Sequence, residues 1–292
     1  MKQLVILSGK GGTGKTTVAA ALADLASQEV PIVMADADVD AANLELVLAP
    51  TKLEEHDFMG GELAIIEPVA CIACGRCAEV CRFDAVMHHN GLYVVDALAC
   101  EGCASCFYQC PTSAIHMEEK RAGQWYRSQT RLGPLFHARL FAGQENSGKL
   151  VTLVRQKALL WARDNGAHLL LIDGPPGIGC PVIAASTGVD IALVVTEPTI
   201  AGVHDLERVL STTTHFRVPA LVLINKADLN LIKAYEIESF CVSRGIEVVG
   251  RLPFDTVVTE AMVHGQPVTA YSDHSVSMEL RHAWGRIKRY LW

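Results

Sequence analysis

Leu4-Val5-Ile6-Leu7-Ser8-Gly9-Lys10-Gly11-Gly12-Thr13-Gly14-Lys15-Thr16-Thr17 is the stretch on which the fold turns. Four apolar residues read as a short buried strand. A glycine-rich loop follows, and residues 16–27 are alanine-rich with helical periodicity. A loop so placed points backbone N–H groups at phosphate oxygens, helped by the helix N-terminus. Gly9, Gly11, Gly12, Thr13 and Gly14 would form the cradle. Lys15 would reach the β- and γ-phosphates, and the Thr16 hydroxyl would ligate Mg²⁺. A chance match in a glycine-bearing turn is the other reading. It is disfavoured because strand and helix stand where the chemistry requires them.

Working outward, residues 32–35 form a second apolar run ending at Asp36-Ala37-Asp38. Similar runs recur at 169–172, 191–195, 221–224 and 248–249. Short continuous apolar runs suit strands buried on both faces. The pattern predicts an α/β fold, a mostly parallel-sheet P-loop nucleotide-binding domain over 1–62 and 119–292. Residues 121–148, polar and rich in Gly and Arg, read as a return linker and functional loop.

The stretch from 63 to 118 breaks the rhythm. Eight of the ten cysteines lie in two runs, Cys71, Cys74, Cys77, Cys81 and Cys100, Cys103, Cys106, Cys110. Both read C-x2-C-x2-C-x3-C and are offset by 29 residues. This is the bacterial ferredoxin spacing, in which the fourth cysteine of each run ligates the other cluster. One [4Fe–4S] cluster would take Cys71, Cys74, Cys77 and Cys110, and a second would take Cys100, Cys103, Cys106 and Cys81. Four-thiolate zinc is the alternative, though zinc usually pairs two C-x2-C arms. A small inserted α+β dicluster ferredoxin domain is the expectation, its core largely the clusters. Arg82 stands where a proline would follow the first run, as Pro111 follows the second. It is either an exposed loop residue or a positive charge beside the Cys81 cluster.

With a net charge of −7, the chain lacks the basic balance of a general nucleic-acid binder. The apolar start is too short for a signal peptide, and no apolar stretch has membrane-spanning length. A cytoplasmic location and clustered cysteines that bind metal rather than form disulfides are expected.

The loop Ser8–Thr17, with its extra Lys10, resembles the deviant Walker A motif of the MinD/ParA/Mrp superfamily, which also includes the nitrogenase iron protein. Asp36-Ala37-Asp38, Leu171-Ile172-Asp173-Gly174-Pro175-Pro176-Gly177 and Gly250-Arg251-Leu252-Pro253-Phe254-Asp255 extend the resemblance. Within that superfamily the chain is similar to MinD-like ATPases with an inserted ferredoxin domain, including at Glu145-Asn146-Ser147-Gly148-Lys149-Leu150-Val151. The resemblance implies that Lys10 crosses a dimer interface to the partner's nucleotide. It also implies that Asp38 orients the attacking water, Asp173 holds Mg²⁺ through water, and the Gly177 amide senses the γ-phosphate. Asn225 would read adenine, with the Pro253 loop beside it. Asn225-Lys226-Ala227-Asp228 also matches the guanine-reading N-K-x-D pattern, and Asp228 leaves GTP open. ATP is favoured because the other signatures belong to ATPases. The partner would be a second copy or a related ATPase.

Other residues are read as structural. Cys180 and Cys241 are expected to be buried thiols. Leu280, Trp284, Ile287 and Leu291 are expected to pack a last helix on the sheet rather than on a membrane. His137 and Lys149 are expected in a solvated loop. Three functions fit: an ATP-driven electron-transfer protein with a redox partner, an iron–sulfur cluster assembly or carrier ATPase, and a MinD-like spatial regulator with redox-sensing clusters. Mrp-type carriers hold a labile cluster on a C-x2-C pair near the C-terminus, and this chain has none there.

Overall fold

The computed structural model describes residues 1–144 and 147–292. In chain order the elements are β1 (Lys2–Ser8), α1 (Lys15–Ser27), β2 (Ile32–Asp36), α2 (Leu44–Leu48), β3 (Thr51–Ile66), α3 (Arg76–Glu79), β4 (Val86–His89), β5 (Leu92–Val95) and α4 (Ser105–Gln109). There follow β6 (Ile115–Gln129), β7 (Pro134–Leu140), α5 (Ser147–Asp164), β8 (Leu169–Pro176), α6 (Cys180–Ser186), β9 (Ile191–Thr196) and α7 (Ile200–His215). The chain closes with β10 (Ala220–Ile224), α8 (Leu231–Ser243), β11 (Val248–Arg251), α9 (Val257–Val263), α10 (Val268–Tyr271) and α11 (Ser275–Ile287).

The chain divides into two compact units. The first comprises Met1–Glu55, Trp125–Arg139 and Ser147–Trp292. Its sheet runs in the order β11-β10-β9-β1-β8-β2-β7-β6-β3, of which β3 contributes only residues 51–55 and β6 only residues 125–129 to this unit. Pairings from β11 through β7 are parallel. The central strands are sealed on both faces, which is why their sequences are continuous apolar runs: β1 carries Leu4, Val5, Ile6 and Leu7, and β8 carries Leu169 to Ile172, all at 0% exposure. Each such fully buried side chain contributes roughly 1.5–3 kcal/mol relative to exposure. α11 closes this core with Leu280, Trp284 and Ile287 buried. Its Trp284 indole N–H donates to Glu29, which also pairs with Lys288. The last helix is therefore a packed element of the fold. Among the described residues no helix is long and apolar enough to cross a membrane.

The second unit comprises His56–Gln124 and Leu140–Asn146. β4 and β5 form an antiparallel hairpin around Asn90-Gly91, both at positive φ, the turn chemistry such a two-residue loop demands. Ala64, Cys77, Val86, Cys106 and Ile115 make its small core.

The expected loop over 121–148 is instead mostly strand, in β6 and β7, with α5 starting at Ser147. Buried positions there include Ala122, Ser128, Thr130 and His137. Trp125, Tyr126, Leu135 and Phe136 are buried there as well, but buried Ser128 and His137 interrupt them, so neither an apolar run nor a clean alternation marks the strands. Of the segment 145–151, Glu145 and Asn146 lie outside the described residues.

Candidate functional site

Parallel α/β sheets place ligands beyond the carboxyl ends of their strands. Here those ends bring together Ser8, Asp36, Asp173, Glu197 and Asn225. The loop between β1 and α1 turns through Gly12 and Gly14, at φ 78° and 86°. Gly14 is doubly required: its conformation is left-handed, and a Cβ would lie 2.3 Å from Asn225 Nδ2. That amide donates to the Thr13 carbonyl at 2.8 Å and so fixes the loop.

Lys15, 6% exposed, begins α1 and sends its ammonium to Asp173 at 3.0 Å and Asp38 at 3.5 Å. Burial alone would lower its pKa, but Asp173, Asp38 and Asp36 outweigh this and hold it above the ordinary lysine value. Burial raises Asp38, with Lys15 opposing. Asp36 faces Asp173 in register across β2 and β8. Burial first, then Asp173, pushes Asp36 up to about 8. Its two oxygens accept from the Asp38 and Leu44 amides, at 3.1 and 2.9 Å, and so shape the turn that carries Asp38.

Two buried oxygens here have no hydrogen-bond partner: Asp173 Oδ2 and Thr13 Oγ1. An unsatisfied buried oxygen is costly. Hydrated Mg²⁺ brings water donors and prefers carboxylate oxygen, so the unpartnered Asp173 oxygen fits that ion. The Gly177 amide donates to the Ser8 carbonyl at 2.9 Å.

A cavity of about 300 Å³ opens beside the loop. Gly12, Gly14, Thr17, Asn225, Pro253 and Phe254 line it. Asp228 accepts the Phe254 amide at 2.7 Å and thereby holds the Pro253 loop over the cavity. Lys10 pairs with Glu197, which also takes Lys226 at 3.3 Å.

In the second unit the cysteines fall into two sets. Cys71, Cys74, Cys77 and Cys110 line one cavity. Cys81, Cys100, Cys103 and Cys106 line another. Backbone amides reach the sulfurs: Ala73 to Cys71 at 3.4 Å, Ala85 to Cys81 at 3.3 Å and Ala114 to Cys110 at 3.3 Å. The 29-residue repeat is reproduced in the backbone. Left-handed residues pair as Ala73 with Gly102, Gly75 with Ala104 and Asp84 with Ser113. A Ser105 hydrogen bond leads the causes that lower the Cys103 thiol, and Arg82 adds to them. Burial raises Cys77 and Cys106. Among the described residues no three His, Cys, Asp or Glu are placed to hold a single metal ion. The donor chemistry, four thiols around each cavity with amides aimed at sulfur, fits a cluster better than one ion.

The CobQ/CobB/MinD/ParA nucleotide-binding domain family matches residues 4–268. The chain belongs to this family. An uncharacterized protein of Methanocaldococcus jannaschii is 32% identical over 289 residues, covering 99% of this chain and 97% of that one. An iron-sulfur cluster carrier protein of Pyrococcus abyssi is 22% identical, covering 93% and 80%. An uncharacterized ferredoxin of M. jannaschii is 37% identical over 68 residues, 20% of this chain and 41% of that one. The septum site-determining protein MinD of Pyrococcus horikoshii, solved with Mg-ADP, shares the fold at TM-score 0.61 and 17% identity, covering 99% and 96%. The chain is thus a MinD/ParA-type P-loop ATPase.

Several residues depart from expectation. His137 is buried at 2% exposure on β7, not in a solvated loop. Its ring stacks on Tyr126 and meets Ser128 and Glu45 at 2.8 and 3.3 Å. Lys149 is exposed on α5. Cys180 is exposed as the first residue of α6, whose buried face is Val182, Ala185 and Ser186. Cys241, by contrast, is buried as expected, and burial raises its thiol to about 11. Glu197 and Lys226 were not singled out as MinD/ParA site residues. Their signal was positional: each follows directly on a parallel strand or its terminal asparagine, where ligand-handling groups collect.

Proposed function

We propose that this MinD/ParA-type ATPase couples a nucleotide-driven dimer, formed with a second copy or a related ATPase, to electron transfer through two [4Fe–4S] clusters. The observation that carries this is the crossing of the thiols, Cys110 lining the cavity of the first run and Cys81 that of the second. It is the ferredoxin wiring on which one-electron transit relies, and such clusters, when bound, supply one-electron steps. The inserted ferredoxin domain would span 63–118.

The chain's own residues divide the nucleotide work. Lys15 would leave Asp173 and Asp38 for the β- and γ-phosphates, freeing Asp38 to orient water. Mg²⁺, when bound at Thr16 and near Asp173, would neutralise phosphate charge. The Gly177 amide would exchange the Ser8 carbonyl for the γ-phosphate. Asn225 and Pro253 would border the base, and Lys10 would act on the partner's nucleotide. Phosphoryl transfer is mostly positioning and charge neutralisation, so these groups suffice in kind.

Anaerobic protein should carry about eight irons per chain with matching sulfide. Stoichiometric zinc without sulfide would defeat the cluster assignment. Mg²⁺-dependent ATP hydrolysis should vanish in Lys10→Ala and Asp38→Ala while nucleotide binding persists, because their proposed roles belong to the transition state. The carrier relative supports a second reading, cluster delivery. Transfer of clusters to an apo-acceptor, with no reversible one-electron reduction, would favour it.

A further inference from the structure

We infer that Glu197 is a positioning residue that parks Lys10 within its own protomer until nucleotide recruits it, an inference resting on the trans role proposed above for Lys10. Glu197 and the phosphates would then compete for one ammonium. The contact is direct: Lys10 Nζ pairs with Glu197 Oε1. The other oxygen, Oε2, takes Lys226 Nζ at 3.3 Å, and the same ammonium donates to the Gly12 carbonyl at 3.2 Å. Glu197 is only 13% exposed, against 35% for Lys10.

The carboxylate is fixed by its backbone. Thr199 N donates to the Glu197 carbonyl at 2.8 Å, and the Thr199 hydroxyl caps α7 by accepting from Gly202. Gly202 packs so closely that a Cβ there would lie 2.2 Å from the Glu197 carbonyl oxygen. Lys10 therefore meets a held acceptor, not a mobile surface glutamate.

The second cation decides what the pair can do. Removing one partner of a buried ion pair is costly because it strands the other charge. Lys226 remains on Glu197 when Lys10 departs, so that charge is not stranded. Burial would raise the Glu197 pKa, yet the two lysines hold it below the ordinary carboxylate range, and the group stays ionised. Lys10 can thus switch between two anions: Glu197 in the resting protomer and phosphate across the dimer. A ligand shifts such an equilibrium only by its differential affinity for the two states. The Glu197 pair sets the threshold that nucleotide must exceed.

The test is the monomer–dimer constant of iron-loaded protein with a non-hydrolysable ATP analogue, by sedimentation equilibrium. Four proteins are compared: unsubstituted, Glu197→Gln, Lys10→Ala and the double variant. Glu197→Gln should tighten the dimer by about 5- to 20-fold, a coupling of ordinary size. The double variant should match Lys10→Ala alone, since the effect runs through Lys10. No change in Glu197→Gln, weaker dimerisation, or an equal gain without Lys10 would overturn the parking role and leave the trans lysine standing. A Lys10→Ala protein that dimerises and hydrolyses normally would instead remove the trans lysine, and the inference with it. A second measurement needs no substitution at Glu197. In nucleotide-free protein at low salt, reductive methylation of Lys10 should run at least about fivefold slower than that of exposed Lys149. Equal rates would overturn the parked state.

Discussion

Lys15 brings one positive charge to a pocket that holds Asp36, Asp38 and Asp173. Removing it strands buried carboxylate charge, so Lys15→Ala should lose about 3 kcal/mol of stability as well as phosphate affinity. Urea unfolding of nucleotide-free protein at pH 7 measures this. Adding Asp173→Asn should recover much of the loss, and a double variant no more stable than the single would refute the pairing. His137 offers a pH test away from nucleotide and cysteines. Burial, then Lys52, holds its imidazole down at about 4. The neutral imidazole accepts from the Ser128 hydroxyl through Nε2, and its Nδ1 lies 3.3 Å from the Glu45 carboxylate. Between pH 4 and the unfolded value near 6.5 the fold binds fewer protons than the unfolded chain. The stability carried by neutral His137 is therefore full above about 6.5 and is lost as pH falls toward 4, by up to about 3 kcal/mol. His137→Gln should flatten that part of the acid decline; an unaltered profile would show the ring is not held neutral. At this scale Lys15, Asp38 and Asp173 were legible because motif chemistry ties each to a phosphate or an ion. Glu197 was not, because its partners, Lys10 and Lys226, lie far from it in sequence and no spacing rule joins them.

Among elements, β1, β2, β8, β9 and β10 were legible because strands buried on both faces leave no choice but apolar runs. β6 and β7 were hidden because polar Ser128 and His137 are buried there beside Trp125, Tyr126, Leu135 and Phe136, which breaks the apolar run that marks the central strands. There the hydroxyls and the imidazole are satisfied by one another and by nearby backbone, as in Ser128 with His137 and Thr130 with Gly133, and a polar sequence passes for a loop. The two cysteine turns supply a sharper test. Ala73 and Gly102 occupy equivalent positions, at φ 53° and 65°. Alanine is thus tolerated by the conformation itself. Yet a Cβ on Gly102 would lie 2.4 Å from the Glu62 carbonyl oxygen. Gly102→Ala should therefore distort the Cys100–Cys103 turn and lower iron from about eight to about four per chain, whereas Ala73→Gly should leave it near eight. Equal iron in both variants would mean the close approach to Glu62 does not shape the turn. α11 belongs to the fold by the same logic of burial, and Trp284→Ala should cost about 3–5 kcal/mol in unfolding measurements.

For the molecule as a whole, Asp36 fixes the turn from Asp38 to Leu44, and the chain runs from there through α2 into β3, which leads to the first cysteine run. A rearrangement at the nucleotide thus has a short covalent route toward the thiols. Cluster potential should differ between ADP and a non-hydrolysable ATP analogue, and reduction should change nucleotide affinity by the same factor, since binding linkage is reciprocal. Identical potentials and affinities in every state would leave the two units merely tethered. The crossed thiols carry a different consequence, one of descent. Cys110 completes the cavity of the first run and Cys81 that of the second. A peptide with a single run would offer three thiols to a cavity that takes four, and only by lending its last cysteine to a neighbour and borrowing one in return would it be whole. The tandem repeat is in effect such a pair of strangers joined into one chain, so neither half could later be discarded without emptying both.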